Sequence, residues 1–513
     1  MNEAATARRL SLRTISANRY SYLLLPFLAG LLIPFGFAPF HLPGFSMLGL
    51  AVLFGILQLQ PPNLKRAFST GFAFGLGFLG LGVSWVYVSI HEYGHLHPLV
   101  AALITLVFIV YLAVYPGLVA VFYKKLSPGR SALFCCFLFS ALWCFGELLR
   151  ATFMGGFPWL LLGFGQIDTP LKYLLPIIGL YGVSFIVCLA AAFLATSALS
   201  HNSKRYVWIV AFGSLLICPA VLKPIEWASL ALAPQSVGII QANLSMRDKW
   251  DEALFWQVLQ RYQEGVDRLI AKNKLIVMPE SAIPLPASYV TTFLDSIHQR
   301  AKQVGSSVLL GIPQPTTVDE THYYNTMLTL GEAHGSYLKQ HLVPFGEFIP
   351  QPFQRLIDWL SFPSANMSAG KSNQALIRVK NHPIATLICY ELAYPQLLRK
   401  QLPLAEWIVS ISDDGWFGHS FAMYQQLQIA QVISMQTARF QVVANNDGLS
   451  AIINTKGEVI ASLPAFSAGI LEADIYPATG SSPWVILGDA PALLICLLIV
   501  MWALIALKIK AAK

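Results

Sequence analysis

A polytopic α-helical membrane bundle, interrupted late in the chain by one extracytoplasmic α/β domain, is the fold class this sequence predicts. Three observations predict it. Of the 513 residues, 55% are hydrophobic and only 12% charged, and the mean hydropathy is +0.58, which is more apolar surface than a water-soluble fold needs. Apolar runs long enough to cross a bilayer recur through residues 1–223 and return in 485–513. Between them, from 224 to 484, short β-branched runs alternate with longer polar or amphipathic stretches, as strands alternate with helices in an α/β domain.

The apolar runs fall at about 22–38, 44–60, 67–90, 98–123, 132–149, 173–199, 206–223 and 485–507. The first holds Pro26 and Pro34, and Ala7-Arg8-Arg9-Leu10-Ser11-Leu12-Arg13 before it is similar to a twin-arginine export signal. No small-residue cleavage site stands out and more spans follow, so a retained anchor is expected. Basic residues mark alternate loops: Arg8, Arg9, Arg13 and Arg19, then Lys65 and Arg66, then Lys124, Lys125 and Arg130, then Lys204 and Arg205, then Lys508, Lys510 and Lys513. The other short loops carry only Arg150 and Lys172. By the positive-inside rule both termini are cytoplasmic, the number of spans is even, and eight fits. The domain at 224–484 then lies outside the cytoplasm. The net charge of +8 does not indicate nucleic acid, because the basic residues are dispersed in short clusters between apolar runs.

Within the polar domain, Val237–Gln241, Leu275–Met278, Val308–Ile312, Thr326–Leu330, Ile384–Ile388 and Trp407–Ile411 read as strands, and Asp251–Ala271 and Tyr289–Gln303 as helical stretches. The window from Pro352 to Pro363 gathers Phe353, Leu356, Ile357, Trp359, Leu360 and Phe362. It reads either as a core helix or as an arm facing the bilayer.

Cys389 is the only cysteine of this domain; Cys135, Cys136, Cys144, Cys188, Cys218 and Cys496 fall in apolar segments. A lone thiol in an oxidising compartment is a liability unless its chemistry is used. It ends the strand Ile384–Ile388 and is followed by Tyr390 and Glu391, at the strand end where α/β folds place reactive groups. Two further signals join it: Glu280 after the strand Leu275–Met278, and Lys339 in Tyr337-Leu-Lys339-Gln-His341-Leu-Val-Pro344-Phe-Gly346-Glu347. Taken singly, the glutamate reads as a turn residue and the lysine as solvated. Together they make chemical sense. An ammonium favours the reactive thiolate, a carboxylate takes and returns its proton, and the lysine stabilises an acyl oxyanion.

Pro279-Glu280, the Lys339–Glu347 motif and Cys389-Tyr390-Glu391 resemble the Glu-Lys-Cys pattern of the carbon–nitrogen hydrolase (nitrilase-like) superfamily. With the membrane spans, Phe37-Ala-Pro-Phe40, Gly156-Phe-Pro-Trp159, Lys249-Trp250, Asp413-Asp-Gly-Trp416-Phe-Gly418 and Asn445-Asn446-x-Gly448, the chain is similar to the bacterial apolipoprotein N-acyltransferases. The resemblance implies an αββα sandwich with Glu280 as base, Lys339 as transition-state stabiliser and Cys389 as acyl-carrying nucleophile. It gives supporting places to Glu347, Tyr390 and Glu391, and places Trp250 and Trp416 at the substrate entrance. It also implies a phospholipid acyl donor, phosphatidylethanolamine above all, a diacylglyceryl apolipoprotein acceptor, a monomer in the bacterial inner membrane, and no metal or organic cofactor. Asp414-Gly415 and Ala444 depart slightly from the pattern, at positions expected to touch no member of the triad.

Two other enzyme readings stand beside this one. A membrane-tethered amidase would use the same triad with water as acceptor. His91-Glu92-Tyr93-Gly94-His95 fits the H-E-x-x-H zinc-protease pattern, but that pattern needs a helix, and Gly94 with Pro98 predicts a loop. A transporter is disfavoured because the spans hold few ionisable residues, chiefly Glu147 and Asp489.

Overall fold

The computed structural model describes residues 21–94, 96–201, 203–316, 322–350, 355 and 367–511. The cluster Arg8–Arg19, His95 and the arm around Trp359 lie outside the described residues. The chain divides into two compact units. One comprises Met1–Ile225, Ser420–Gln428 and Leu487–Lys513; the other comprises Glu226–His419 and Ile429–Ile486.

The first unit is helical. Among the described residues, five helices are long and apolar enough to cross a membrane: Pro98–Leu126, the one from Ala132, the one ending at Leu199, the one from Lys204, and the one from Ala490. A sixth is counted if Leu64–Gly82 and Val86–Tyr93, bent by 61°, form one span, and Tyr22–Gly36 and Pro43–Leu59 are shorter apolar helices. The run expected at 67–90 is therefore broken after Gly82, and His91 and Glu92 lie in a π-helical turn, Ser89–Tyr93, rather than a loop. His91 Nδ1 meets the Leu96 carbonyl at 2.9 Å. Small residues let the helices approach closely: a Cβ on Gly71 would stand 2.3 Å from the Pro116 carbonyl oxygen.

Arg150, read from the sequence as a loop residue, is buried in the helix Ala132–Thr152. It donates to the carbonyls of Phe157 (3.1 Å) and Trp159 (2.5 Å). The segment Ser420–Gln428 belongs to this unit through Gln425, whose Oε1 accepts from the indoles of Trp85 (3.3 Å) and Trp159 (2.7 Å). That gives the Gly156-Phe-Pro-Trp159 motif a physical task, which is to present an indole donor.

The second unit is built on two sheets. In one, the strands run in the order Gly469–Ile475, Gln235–Gln241, Leu275–Val277, Ser307–Pro315, Tyr323–Gly331, Ser336–Leu338. In the other they run Val459–Ser462, Ala451–Ile453, Gln441–Asn445, Trp407–Ser412, His382–Ile388, Ile377–Val379, Ala333–His334. Strand periodicity sorts the side chains. Val237, Ile239, Val277 and Leu309 share one buried cluster with Ile384, Ile388, Val409 and Ile411 of the other sheet. Their neighbours Ile240, Ile276, Val308 and Leu310 pack instead with Val258, Tyr262, Leu294 and Ile297, which lie on the helices Phe255–Leu269 and Thr291–Val304. On the far side of the second sheet, Ser434 of Ala422–Thr437 donates to Gln441 Oε1 (3.1 Å). The result is a helix–sheet–sheet–helix sandwich. The central strands of both sheets are parallel, so their carboxyl ends gather in one place.

Candidate active site

The base candidate is placed by a close backbone approach. Pro279-Glu280 leaves the strand Leu275–Val277 and crosses Gly311, whose N–H donates to the Pro279 carbonyl (3.1 Å). A Cβ on Gly311 would stand 2.6 Å from the Glu280 Cα, so only glycine admits the base in this position. The carboxylate of Glu280 is buried and fully engaged. Oε1 accepts from Asn325 Nδ2 (2.6 Å) and faces Lys339 Nζ (3.4 Å), while Oε2 accepts from the Asp413 N–H (3.0 Å).

Lys339 follows the edge strand Ser336–Leu338, and its N–H donates to the Asn325 carbonyl (2.9 Å). That pairing brings the side chains of Asn325 and Lys339 to the same carboxylates. Lys339 is 1% exposed, and its Nζ donates to Glu347 Oε1 at 2.7 Å. Burial works against its charge, but the carboxylates of Glu347 and Glu280 outweigh it and hold the ammonium above its ordinary range. Glu347 is anchored in turn by the Val343 N–H (2.8 Å).

Cys389 directly follows the strand His382–Ile388 and opens the 3₁₀ turn Cys389–Ala393. Its φ of +51° is in the left-handed region, which a non-glycine residue occupies only under constraint. The constraint is Glu391. Its wholly buried carboxylate accepts from the N–H groups of Ile388 (2.8 Å), Gln340 (2.6 Å) and His341 (3.0 Å) and from the Tyr337 hydroxyl (3.0 Å). One side chain thus ties the residue before the thiol to the residues after Lys339. Burial pushes Glu391 up to about 7, against those hydrogen bonds. The thiol of Cys389 is also pushed up, by burial and by Glu280, with Lys339 pulling the other way. At rest it is protonated and needs a base.

The structure brings Glu280, Lys339 and Glu347 into one hydrogen-bonded network and sets Cys389 under their charges. Tyr390 is buried, and its hydroxyl accepts from Tyr394 (3.3 Å). Trp250 and Trp416 are 51% and 44% exposed; Trp250 follows the short helix that ends at the buried Lys249, and Trp416 lies within the 3₁₀ turn Asp414–Phe417 capped by the buried Asp413. Several neighbours of the site carry no assignment from the sequence. Asn325 orients Glu280. Lys249 is buried, donates to the Glu280 carbonyl (3.1 Å) and is paired with the Asp413 carboxylate. Asp414, expected to stand clear of the triad, instead has a carboxyl close enough to raise the Cys389 thiol further. The sequence marks only their type and place, an asparagine inside a buried strand and two acids, Asp413 and Asp414, just past a strand end; their partners are distant in the chain.

A two-sheet α/β sandwich with a cysteine at a strand end is the architecture of the carbon–nitrogen hydrolases, and residues 236–482 match that family's model. Residues 29–193 match the apolipoprotein N-acyltransferase N-terminal domain. The apolipoprotein N-acyltransferase of Methylococcus capsulatus is 34% identical over 477 residues, covering 92% of this chain and 94% of that protein. That of Coxiella burnetii is 35% identical over 467 residues, covering 90% and 95%. Among solved structures, the C. elegans NitFhit protein is 15% identical with a TM-score of 0.39, covering 52% of this chain and 65% of that one. The chain belongs to the apolipoprotein N-acyltransferase family.

Proposed function

We propose that the chain moves a fatty acyl chain from a membrane phospholipid, through a thioester on Cys389, to the α-amine of a diacylglyceryl-cysteine at the start of an apolipoprotein. The observation that carries this reading is the buried Glu280–Lys339–Glu347 network beside a strand-end thiol. Glu280 takes the thiol proton as Sγ attacks the ester carbonyl, and Lys339 stabilises first the thiolate and then the tetrahedral oxyanion. The proton passes from Glu280 to the leaving alkoxide, which departs as a lysophospholipid. In the second half of this ping-pong cycle the amine attacks the thioester, and Glu280 returns a proton to Sγ. Glu347 keeps Lys339 charged and aimed, Asn325 orients the base, and Glu391 with Tyr390 holds the nucleophile's turn. Trp250 and Trp416 line the mouth.

Phosphatidylethanolamine is the donor in this reading, and the protein works as a monomer. The helical unit crosses the bacterial inner membrane eight times, counting the bent pair and the two shorter helices as spans. Both termini are cytoplasmic, and the functional division is 1–223, 224–484 and 485–513. The catalytic unit stands on the periplasmic side, where the basic-residue pattern puts it. Both substrates are bilayer lipids, which accounts for an amidase-like unit being joined to so many apolar helices.

The test is a reconstitution with phosphatidylethanolamine and a diacylglyceryl-cysteine peptide, read by mass spectrometry. The expected products are a peptide carrying one extra acyl amide and an equal amount of lysophospholipid. Free fatty acid without acylated peptide would establish the tethered hydrolase instead. Loss of activity on adding a chelator would move the chemistry to a metal and revive the His91-Glu92-His95 reading.

A further inference from the structure

Two carboxyls beside the base have no task in this chemistry: Asp414 and Asp447. The strands before them, Trp407–Ser412 and Gln441–Asn445, are parallel and in register up to Ser412 opposite Asn445, so the loops that follow lie side by side. Asn445 Oδ1 fastens the loops together by accepting from the N–H groups of Asp414 (3.1 Å) and Gly448 (3.2 Å). A Cβ on Gly448 would stand 2.5 Å from Asp414 Oδ2, so the Asp414 carboxyl rests on the residue next to Asp447. One residue back, the Asp413 N–H bonds Glu280. Asp414 therefore adjoins the base, and Asp447 stands behind it, next to Asp413 and Lys249.

Carboxyl groups outnumber ammoniums here. Glu280, Glu347, Asp413, Asp414 and Asp447 share the site with two ammoniums, Lys249 and Lys339, and both of those are already engaged. Asp447 is 7% exposed, and its Oδ1 has no hydrogen-bond partner among the described residues. Tyr262, wholly buried on the helix Phe255–Leu269, also has an unpartnered hydroxyl. The charges acting on it are those of Asp413, Arg261 and Asp447. Burial and Asp413, against Lys249, push Asp447 up to about 7; burial and Asp447 push Asp414 up as well. A surplus of buried acceptors, one of them an oxygen with no hydrogen-bond partner among the described residues, suits a cationic group.

We propose that Asp447, with Asp414 against it, receives the α-ammonium of the acceptor and takes its extra proton before the amine attacks the thioester. This rests on the N-acyltransferase reading. The balance is complete. One N–H bond of the ammonium breaks and its proton goes to the carboxylate. The neutral amine attacks the carbonyl carbon, so a C–N bond forms and the C–S bond breaks. The second N–H proton passes through Glu280 to Sγ and restores the thiol. The proton left on the carboxyl then goes to water, so each turnover releases one proton.

Separating the half-reactions tests this. Wild type, Asp447→Asn and Asp414→Asn are loaded from phosphatidylethanolamine, with loading followed by intact mass. The loaded proteins are then mixed with a diacylglyceryl-cysteine peptide in single turnovers from pH 6 to 9.5. At pH 7, aminolysis in Asp447→Asn should fall by about ten-fold more than loading does. The deficit should close above the acceptor amine's own pKa of about 8, where no proton acceptor is needed. Equal losses in both half-reactions, or a deficit that persists at pH 9.5, would overturn the proposal. Should a variant not fold, wild type decides. The free-amine peptide should bind about ten-fold better than its N-acetylated counterpart at pH 7 and lose that advantage at pH 9.5; no such preference would also overturn it. Failure of wild type to load, or to form the amide, would strike the N-acyltransferase reading itself.

Discussion

Both compact units bury a carboxylate and a cation, and they use them in opposite ways. In the helical unit, Glu147 Oε1 accepts from Trp143 Nε1 (3.1 Å) and the Leu162 N–H (2.9 Å), while Arg150, one turn on, donates to the Phe157 and Trp159 carbonyls. Each charge binds the backbone of the adjoining turn, and the pair acts as a splint. In the catalytic unit Glu280, Lys339 and Glu347 bond to one another and act together on one thiol. Buried charge alone does not mark a site, because structural networks bury charge as well. What marks it is whether the buried charges are spent on neighbouring backbone or act together on a reactive atom.

The comparison breaks first at Cys389. Cys389→Ala should form no thioester and lose turnover by about 10⁴-fold or more, in protein that still folds; retained N-acylation would remove the catalytic unit's claim. Glu280→Gln keeps the shape and removes the base, so acyl loading should slow by about 10³-fold. A normal loading rate would assign the base elsewhere. Glu391→Gln replaces an acceptor of four hydrogen bonds with a group that must turn a donor towards one of them. It should cost about 1.5–3 kcal/mol and slow loading, both visible in thermal melts and single-turnover kinetics. In the helical unit, Glu147→Gln retains the accepting oxygen. Its melting midpoint should drop, while turnover per folded molecule stays within about three-fold; a collapse of turnover at normal stability would make Glu147 a functional group.

The smallest effect sharpens the comparison through pH. Glu391 and Asp447 are held up to about 7 from ordinary values of 4.5 and 3.8. The folded protein therefore keeps protons that the unfolded chain has already released. The stability this contributes is full below those ordinary values and is lost as pH rises through about 7. Asp447→Asn removes one such contribution, so its melting midpoint should gain on wild type between pH 5 and 8. A constant difference would contradict the raised carboxyl.

Much of the fold was legible because burial leaves a local mark. Ile384–Ile388 and Trp407–Ile411 are short β-branched runs bounded by turns, and they are strands. Gly469–Ile475 was not legible. Its Glu472 and Asp474 interrupt the apolar pattern, and its place beside Gln235–Gln241 is a pairing across more than half the domain. The bend after Gly82 lies inside an unbroken apolar run, so hydropathy does not register it. Glu280 and Cys389 could be singled out because each follows a strand the sequence shows; Lys339 could be singled out only through its motif, because the short strand before it, Ser336–Leu338, leaves no mark in the sequence pattern. Asn325, Asp447 and Gln425 could not, since their meaning lies in partners far away in sequence.

The most direct measurement is the intact mass of the purified protein before and after incubation with phosphatidylethanolamine, beside Cys389→Ala. The expected result is a fatty-acyl increment on wild type, absent from the variant and removed by hydroxylamine. An increment that survives in Cys389→Ala, or none on folded wild type with phospholipid present, would contradict the account.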